Sequence, residues 1–280
     1  MRVFLVKKRA AMLALKAWEF FKRDLRIESS YKAAFIFEYA TTILPLLTFY
    51  FVAKLVDENS AASLTPYGGK YFPFAVVGLA FMQYFTIALT NFAATIRRSQ
   101  MAGCLEAMLS TQTSPGTVII LSSTYSFLMK LFHLVLVLTV SSLLLGVGFG
   151  SCNFLSMAVV LALTIASLSG FGILSAAFIV VMKKGDPIEW FIGSVSSMLG
   201  GALFPVSLMP GWLRIIAALL PTTYALEAMR QAMLNGASIA MLWREVLILG
   251  TMAAVLLPVS VWVFAKAVEK GRRDGTLMHY

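Results

Sequence analysis

The sequence predicts an all-α membrane protein: six transmembrane helices, an amphipathic interfacial helix at the N-terminus, and a re-entrant helical hairpin between spans five and six. Three observations carry this expectation. Hydrophobic residues make up 59% of the 280 and charged residues only 13%, against about 25% charged in an ordinary soluble domain. Mean hydropathy is +0.83, and the apolar residues gather into runs of the roughly 20 residues that a helix needs to cross a hydrocarbon core of about 30 Å. Lys and Arg collect in alternate loops, as orientation charge does, so the net charge of +10 points to no nucleic-acid partner.

Residues 1–32 hold nine basic and three acidic side chains. Ala11, Ala14, Trp18, Phe21 and Leu25 recur at spacings of three and four, while Lys16, Glu19, Arg23 and Arg26 take the other side and Phe20 interrupts the pattern. Such a stripe suits a helix lying on an anionic leaflet. The apolar run at 3–6 is too short for a signal-peptide core, so the N-terminus is expected to be retained.

Residues 33–53, bounded by Lys32 and Lys54, form the first span, and a polar loop with Pro66 and Gly68-Gly69 follows. Residues 72–96 form the second, stopped by Arg97-Arg98. The apolar run 117–148 would be about 48 Å long as helix, so only its last two-thirds should cross as the third span. A tight turn at 148–153 leads to the fourth span, 155–182, which Lys183-Lys184-Gly185-Asp186-Pro187 breaks. The fifth runs from 188 to about 204. Within 205–238, Pro205, Pro210, Gly211 and Pro221 cut apolar sequence into pieces too short to cross, which read as re-entrant or interfacial half-helices. Residues 239–265 form the sixth span. The division is one domain over 1–280: the helix 1–32, a six-span core 33–268 and a tail 269–280. Residues 1–32 and 266–280 and the loops at 97–116 and 183–187 hold seventeen of the Lys and Arg residues, which puts both termini in the cytoplasm.

Catalytic signatures are lacking. No phosphate loop, His-Glu-x-x-His, Cys-x-x-Cys or Gly-x-Ser-x-Gly motif is present, so no catalytic residue is assigned and the chain is not expected to hydrolyse ATP. His133 and His279, the only histidines, cannot build a multi-histidine metal centre. Cys104 and Cys152 fall on opposite sides of the membrane, which excludes a disulfide between them. Ionisable groups within spans are few, and Glu38, Lys130 and His133 stand out among them. They would serve a proton-coupled secondary transporter, although all three sit near the inner boundary, where long side chains snorkel. Gly146-x-x-x-Gly150 fits either a helix contact or a plain turn, and the turn is preferred.

The loop after the second span is too patterned for a spacer. It reads Arg97-Arg98-Ser99-Gln100-Met101-Ala102-Gly103-Cys104-Leu105-Glu106-Ala107-Met108-Leu109-Ser110-Thr111. Leu105, Met108 and Leu109 make a small apolar face with Glu106 beside it, a form suited to docking in a partner's groove. Here the sequence resembles the type-2 ATP-binding-cassette (ABC) exporter permeases, whose coupling helix carries a Gly-x-Leu-Glu-x-Leu-Leu-Ser-Thr pattern in this loop. The stretches Phe204-Pro205-Val206-Ser207-Leu208-Met209-Pro210-Gly211-Trp212-Leu213 and Leu220-Pro221-Thr222-Thr223-Tyr224-Ala225-Leu226-Glu227-Ala228-Met229-Arg230 are similar to the family's segment between spans five and six, where it places re-entrant helices on the outer side.

The resemblance implies a permease subunit in a bacterial inner membrane, acting as two copies of this chain above two separate ABC ATPase subunits that hold ATP and Mg. It implies that Gly103, Leu105, Glu106, Met108 and Leu109 couple to the ATPase, with the Glu106 carboxylate pairing with a basic partner residue. It also implies that Pro205, Pro210, Trp212, Pro221, Tyr224, Glu227 and Arg230 belong to the exit gate. Trp212 and Tyr224 suit interfacial anchors as well as substrate contacts, and Glu227 with Arg230, three apart, suits a local ion pair. Glu38, Phe81, Tyr84, Phe85 and Asn91 are candidates to line the route. The expected cargo is amphipathic, drug-like or lipid-like, with lipid-linked polysaccharide as the alternative; membrane lipids are the other partners. An assembly factor without transport is a third reading.

Overall fold

The computed structural model describes residues 18–19, 21–22, 25–26, 32–55, 58–101, 115–182 and 187–273. Among them the chain is helical throughout. The α-helices are α1 (Lys32–Leu55), α2 (Tyr71–Met101), α3 (Pro115–Leu145), α4 (Phe154–Met182), α5 (Pro187–Leu199), α6 (Gly211–Ala218), α7 (Pro221–Leu234) and α8 (Trp243–Arg273), with 3-10 helices at Glu58–Tyr67 and Val206–Leu208. Four segments are long and apolar enough to cross a membrane: Tyr71–Ser99, Ser123–Leu145, Phe154–Met182 and Trp243–Gly271. The protein is a multi-pass membrane protein.

Burial falls unevenly on these four. α2 buries most of its apolar length and α4 half, whereas α3 and α8 leave most of theirs outward, as an all-round apolar helix does when lipid is its solvent. α4 lies along both α2 and α8, and glycines set the spacing. A Cβ on Gly172 would stand 2.7 Å from the Ala88 and Leu89 carbonyl oxygens of α2, and one on Gly170 would stand 2.7 Å from Leu256 Cβ of α8. Only hydrogen at these positions lets the backbones approach so closely.

Loop geometry places the ends. Gly146 (φ 71°) and Gly236 (φ 67°) stop α3 and α7 in the left-handed region, and beyond each glycine an amide folds back: Val147 N donates to Ser141 O and Ala237 N to Gln231 O. Gly146 and Gly150 meet nothing, which fits the turn preferred above. Asn153 Oδ1 then accepts from Ser156 N at 3.1 Å and caps α4. Asn153 N donates to Ala232 O at 2.9 Å, and Asn235 Nδ2 donates to Pro66 O at 2.6 Å. The start of α2, the end of α3, the start of α4 and the end of α7 therefore meet at one end of the bundle. Arg97, Arg98, Lys266, Lys270 and Arg273 lie at the far ends of α2 and α8.

Three boundaries differ from the sequence reading. α5 ends at Leu199, not near 204: Gly200 N still donates to Ser196 O at 2.9 Å, but Gly201, with φ 80°, turns the chain out of the helix. Its 13 residues span roughly 20 Å, less than a hydrocarbon core. Residues 239–242 form a turn and α8 begins at Trp243. α8 also continues to Arg273 rather than ending near 265. At the N-terminus, the described residues between 18 and 26 are helical. Phe21 meets Tyr125 of α3 at 5.3 Å between ring centroids, so part of the expected stripe packs on the bundle, while Trp18 and Leu25 are exposed.

Candidate functional site

The prolines that break the sequence near 205–221 start helices. Pro210 is the N-cap of α6 and Pro221 occupies the first turn of α7, positions where a missing N–H costs nothing. Between them the α6 carbonyls would be orphaned. Thr223 Oγ1 donates to Ala217 O at 2.7 Å and Tyr224 OH to Ala218 O at 2.9 Å, while Arg214 Nε donates to Met209 O at 2.8 Å. The α6–α7 corner is thereby fixed, with Tyr224 spending its hydroxyl on the α6 end. Trp212, 65% exposed, projects outward with Ile215 and Leu219; Pro205 and Pro221 are buried and Pro210 exposed.

Arg230 is the centre of the arrangement. It is 2% exposed, Nη2 donates to Ala202 O at 2.7 Å, and Nε donates to Phe74 O at 3.3 Å. Its guanidinium sits 3.5 Å from the Phe74 ring centroid and 5.9 Å from that of Tyr67, a cation–π arrangement. Burial lowers its pKa to about 10, opposed by the charges of Tyr67, Glu227 and Tyr71, so it remains a cation at neutral pH. A Cβ on Gly78 would stand 1.9 Å from Ala202 O and 2.6 Å from Arg230 Nη2. Glycine there is what lets α2, the end of α5 and α7 close around one guanidinium.

Glu227 does not form the expected ion pair with Arg230. Tyr67 OH donates to Glu227 Oε2 at 2.5 Å, and Gln231 Nε2 donates to Glu227 Oε1 at 3.3 Å and to Pro66 O at 3.3 Å. Burial, then the hydrogen bond to Glu227, pushes the Tyr67 hydroxyl above the ordinary tyrosine range. Arg230 faces inward to carbonyls because two fixed acceptors and a ring face fit its planar fork. Tyr67, Phe74, Gln231 and Asn235 were not singled out from sequence. Their partners lie about 160 residues away, and no local spacing reports such contacts.

A cleft of about 300 Å³ opens beside this cluster. Tyr67, Tyr224, Glu227 and Arg230 line it together with Arg244 and Glu245 from the first turn of α8, above a floor of Gly200 and Gly201.

The remaining sequence candidates lie elsewhere. Phe81, Tyr84, Phe85 and Asn91 are buried within the chain, where Tyr84 OH donates to Phe127 O at 3.4 Å and Asn91 Nδ2 to Ser123 O at 3.3 Å. They pack α2 onto its neighbours within the chain. Glu38 lies on α1, its side chain outside the described residues, as are Gly103, Leu105, Glu106, Met108, Leu109 and Cys104. His133 is buried on α3, one turn from Lys130. Among the described residues no group of three or more His, Cys, Asp or Glu could hold a metal ion.

Residues 14–234 match the family model described as ABC-2 type transporter. The chain belongs to the ABC-2 type transporter family. No curated protein matches the chain significantly. Membership makes it an ABC permease subunit and implies an ABC ATPase partner. In an ABC-2 permease the segment between α5 and α8 is thus held to the first loop and to α2 through Arg230, Glu227 and Asn235.

Proposed function

We propose that this chain is the membrane-embedded half of an ATP-driven exporter of a bacterial inner membrane, moving an amphipathic, drug-like or lipid-like substrate out of the cytoplasm or inner leaflet. Two copies form the pathway and two ABC ATPase subunits dock beneath them, both termini lying in the cytoplasm. The family match over residues 14–234 is the observation that carries this reading. The excess of Lys and Arg in the termini and the 97–116 and 183–187 loops supports the orientation.

In this reading six segments cross. α1 is the first, and α5 with the residues to about 204 is the fifth, with α6 and α7 forming a re-entrant hairpin on the outer side. ATP-driven closure of the ATPases pushes on the helix around Leu105, Glu106, Met108 and Leu109, and the bundle passes between inward and outward states. The apolar outward face of α6 and the cleft beside α7 suit a cargo with one greasy and one polar part.

The test is purification of the tagged chain from its host in mild detergent. Copurification of an ABC ATPase with vanadate-sensitive hydrolysis, stimulated by hydrophobic drugs or lipids in proteoliposomes, is the expected result. A chain that crosslinks to no ATPase overturns the reading. Stimulation by a glycolipid alone replaces the cargo with a lipid-linked glycan.

A further inference from the structure

We propose that the cleft between α7 and the start of α8 binds the head of a zwitterionic amphiphile, one carrying an ammonium and a phosphate. The lining holds two acids and two bases, but they are not equally available. Arg230 is spent on Ala202 O and Phe74 O, and Glu227 already accepts from Tyr67 and Gln231. Arg244 and Glu245 are different: Arg244 is exposed and Glu245 half-buried, and neither has a hydrogen bond or ion pair among the described residues. Successive residues on a helix point about 100° apart and do not face each other, so these two cannot neutralise one another, yet both line the same cleft.

The charge balance selects the ligand. A bare anion drawn to Arg244 would meet the carboxylates of Glu227 and Glu245, and a bare cation drawn to Glu245 would meet Arg244 in front of Arg230. A head with both charges gives each free group an opposite partner. The cleft volume of about 300 Å³ sits at the lower end of the range for small-molecule sites. Apolar surface adjoins it: Trp212, Ile215 and Leu219 on α6 and Trp243 on α8 are exposed, and Thr223 and Tyr224 of the cleft wall are bonded to the end of α6. The tails of the amphiphile would lie there. That the bound molecule is cargo rests on the exporter reading; that the cleft binds such a head does not.

The experiment titrates the full-length chain, in an uncharged maltoside, with dihexanoyl phosphatidylcholine below its micelle concentration, followed by tryptophan fluorescence. Dihexanoyl phosphatidic acid and hexyltrimethylammonium serve as single-charge probes. Saturable binding of the zwitterion is expected, with R244Q and E245Q each weakening it about tenfold and both single-charge probes binding more weakly. Equal affinity in both variants overturns the proposal, as does phosphatidic acid binding as tightly as the zwitterion with E245Q without effect. Unchanged melting temperatures in the two variants establish that the comparison is between folded proteins. No ATPase takes part in the titration, so failure of the exporter reading leaves its result standing. In proteoliposomes with the ATPase partner, a raised KM for transport of the probe in both variants identifies the occupant as cargo. Lost binding with unaltered transport identifies it as a resident leaflet lipid, and either result retains the site.

Discussion

Tyr67 and Glu227, 160 residues apart in the chain, share a 2.5 Å hydrogen bond that ties the first loop to α7. Gln231 and Asn235 extend the same tie to Pro66 O. The short helices of the α5–α8 connection are thus held by a polar clasp from the loop before α2, in addition to their own packing.

Tyr67→Phe removes one donor and keeps the ring, so we expect a loss of about 1–2 kcal/mol, the cost of leaving a partly buried carboxylate short of a partner. Thermal melting of the detergent-solubilised protein measures it, and an unchanged midpoint argues that the clasp adds nothing. Because the Tyr67 hydroxyl is held above its usual value of 10.0, its stabilising contribution is complete below pH 10 and is lost only as pH rises through the higher folded value.

Arg230→Lys retains the charge but not the planar fork that reaches Phe74 O and Ala202 O together. A drop of about 2–3 kcal/mol is expected from one abandoned carbonyl and a lost ring contact. Size-exclusion profiles and melting curves give the comparison. Wild-type behaviour of this variant would mean that charge alone suffices at the site.

Gly172→Leu forces a side chain into the space between α4 and the Ala88 and Leu89 carbonyls. Overpacking of this kind costs about 1–3 kcal/mol or more where backbone cannot shift. Gly193, with nothing within 4 Å, supplies the control: Gly193→Leu should leave the melting point within a degree or two, and equal damage from both would count against glycine-set spacing.

The sequence pattern reported the helices well where composition alone decides them. Residues 155–182 contain no charge, and α4 covers them; residues 72–96 are likewise uncharged, and α2 covers them and runs on to Met101. It failed at α5 because Gly201 takes a left-handed backbone conformation that stops the helix, a local turn that apolar character does not register. It failed again at Glu227 and Arg230, where helical spacing correctly made them neighbours and wrongly made them partners. The competing acceptors, Phe74 O and Ala202 O, are backbone atoms that any residue would supply, so no residue type betrayed them.

Glu106→Arg should uncouple ATP hydrolysis from transport while membrane insertion and yield stay normal, since a reversed charge repels the basic residue expected on the ATPase. Wild-type transport by this variant would remove the docking role from Glu106. Substrate-independent hydrolysis with no transport is the signature sought.

The meeting of Ala232 with Asn153 and of Asn235 with Pro66 has a bearing on biogenesis. A ribosome delivers residues 66, 74, 153 and 202 before residues 230–235, so Pro66 O, Phe74 O and Ala202 O wait unclaimed until α7 has been made. Synthesis of α7 and closure of this end of the bundle are therefore one event. A nascent chain that stops before residue 221 leaves those carbonyls without the partners that α7 brings.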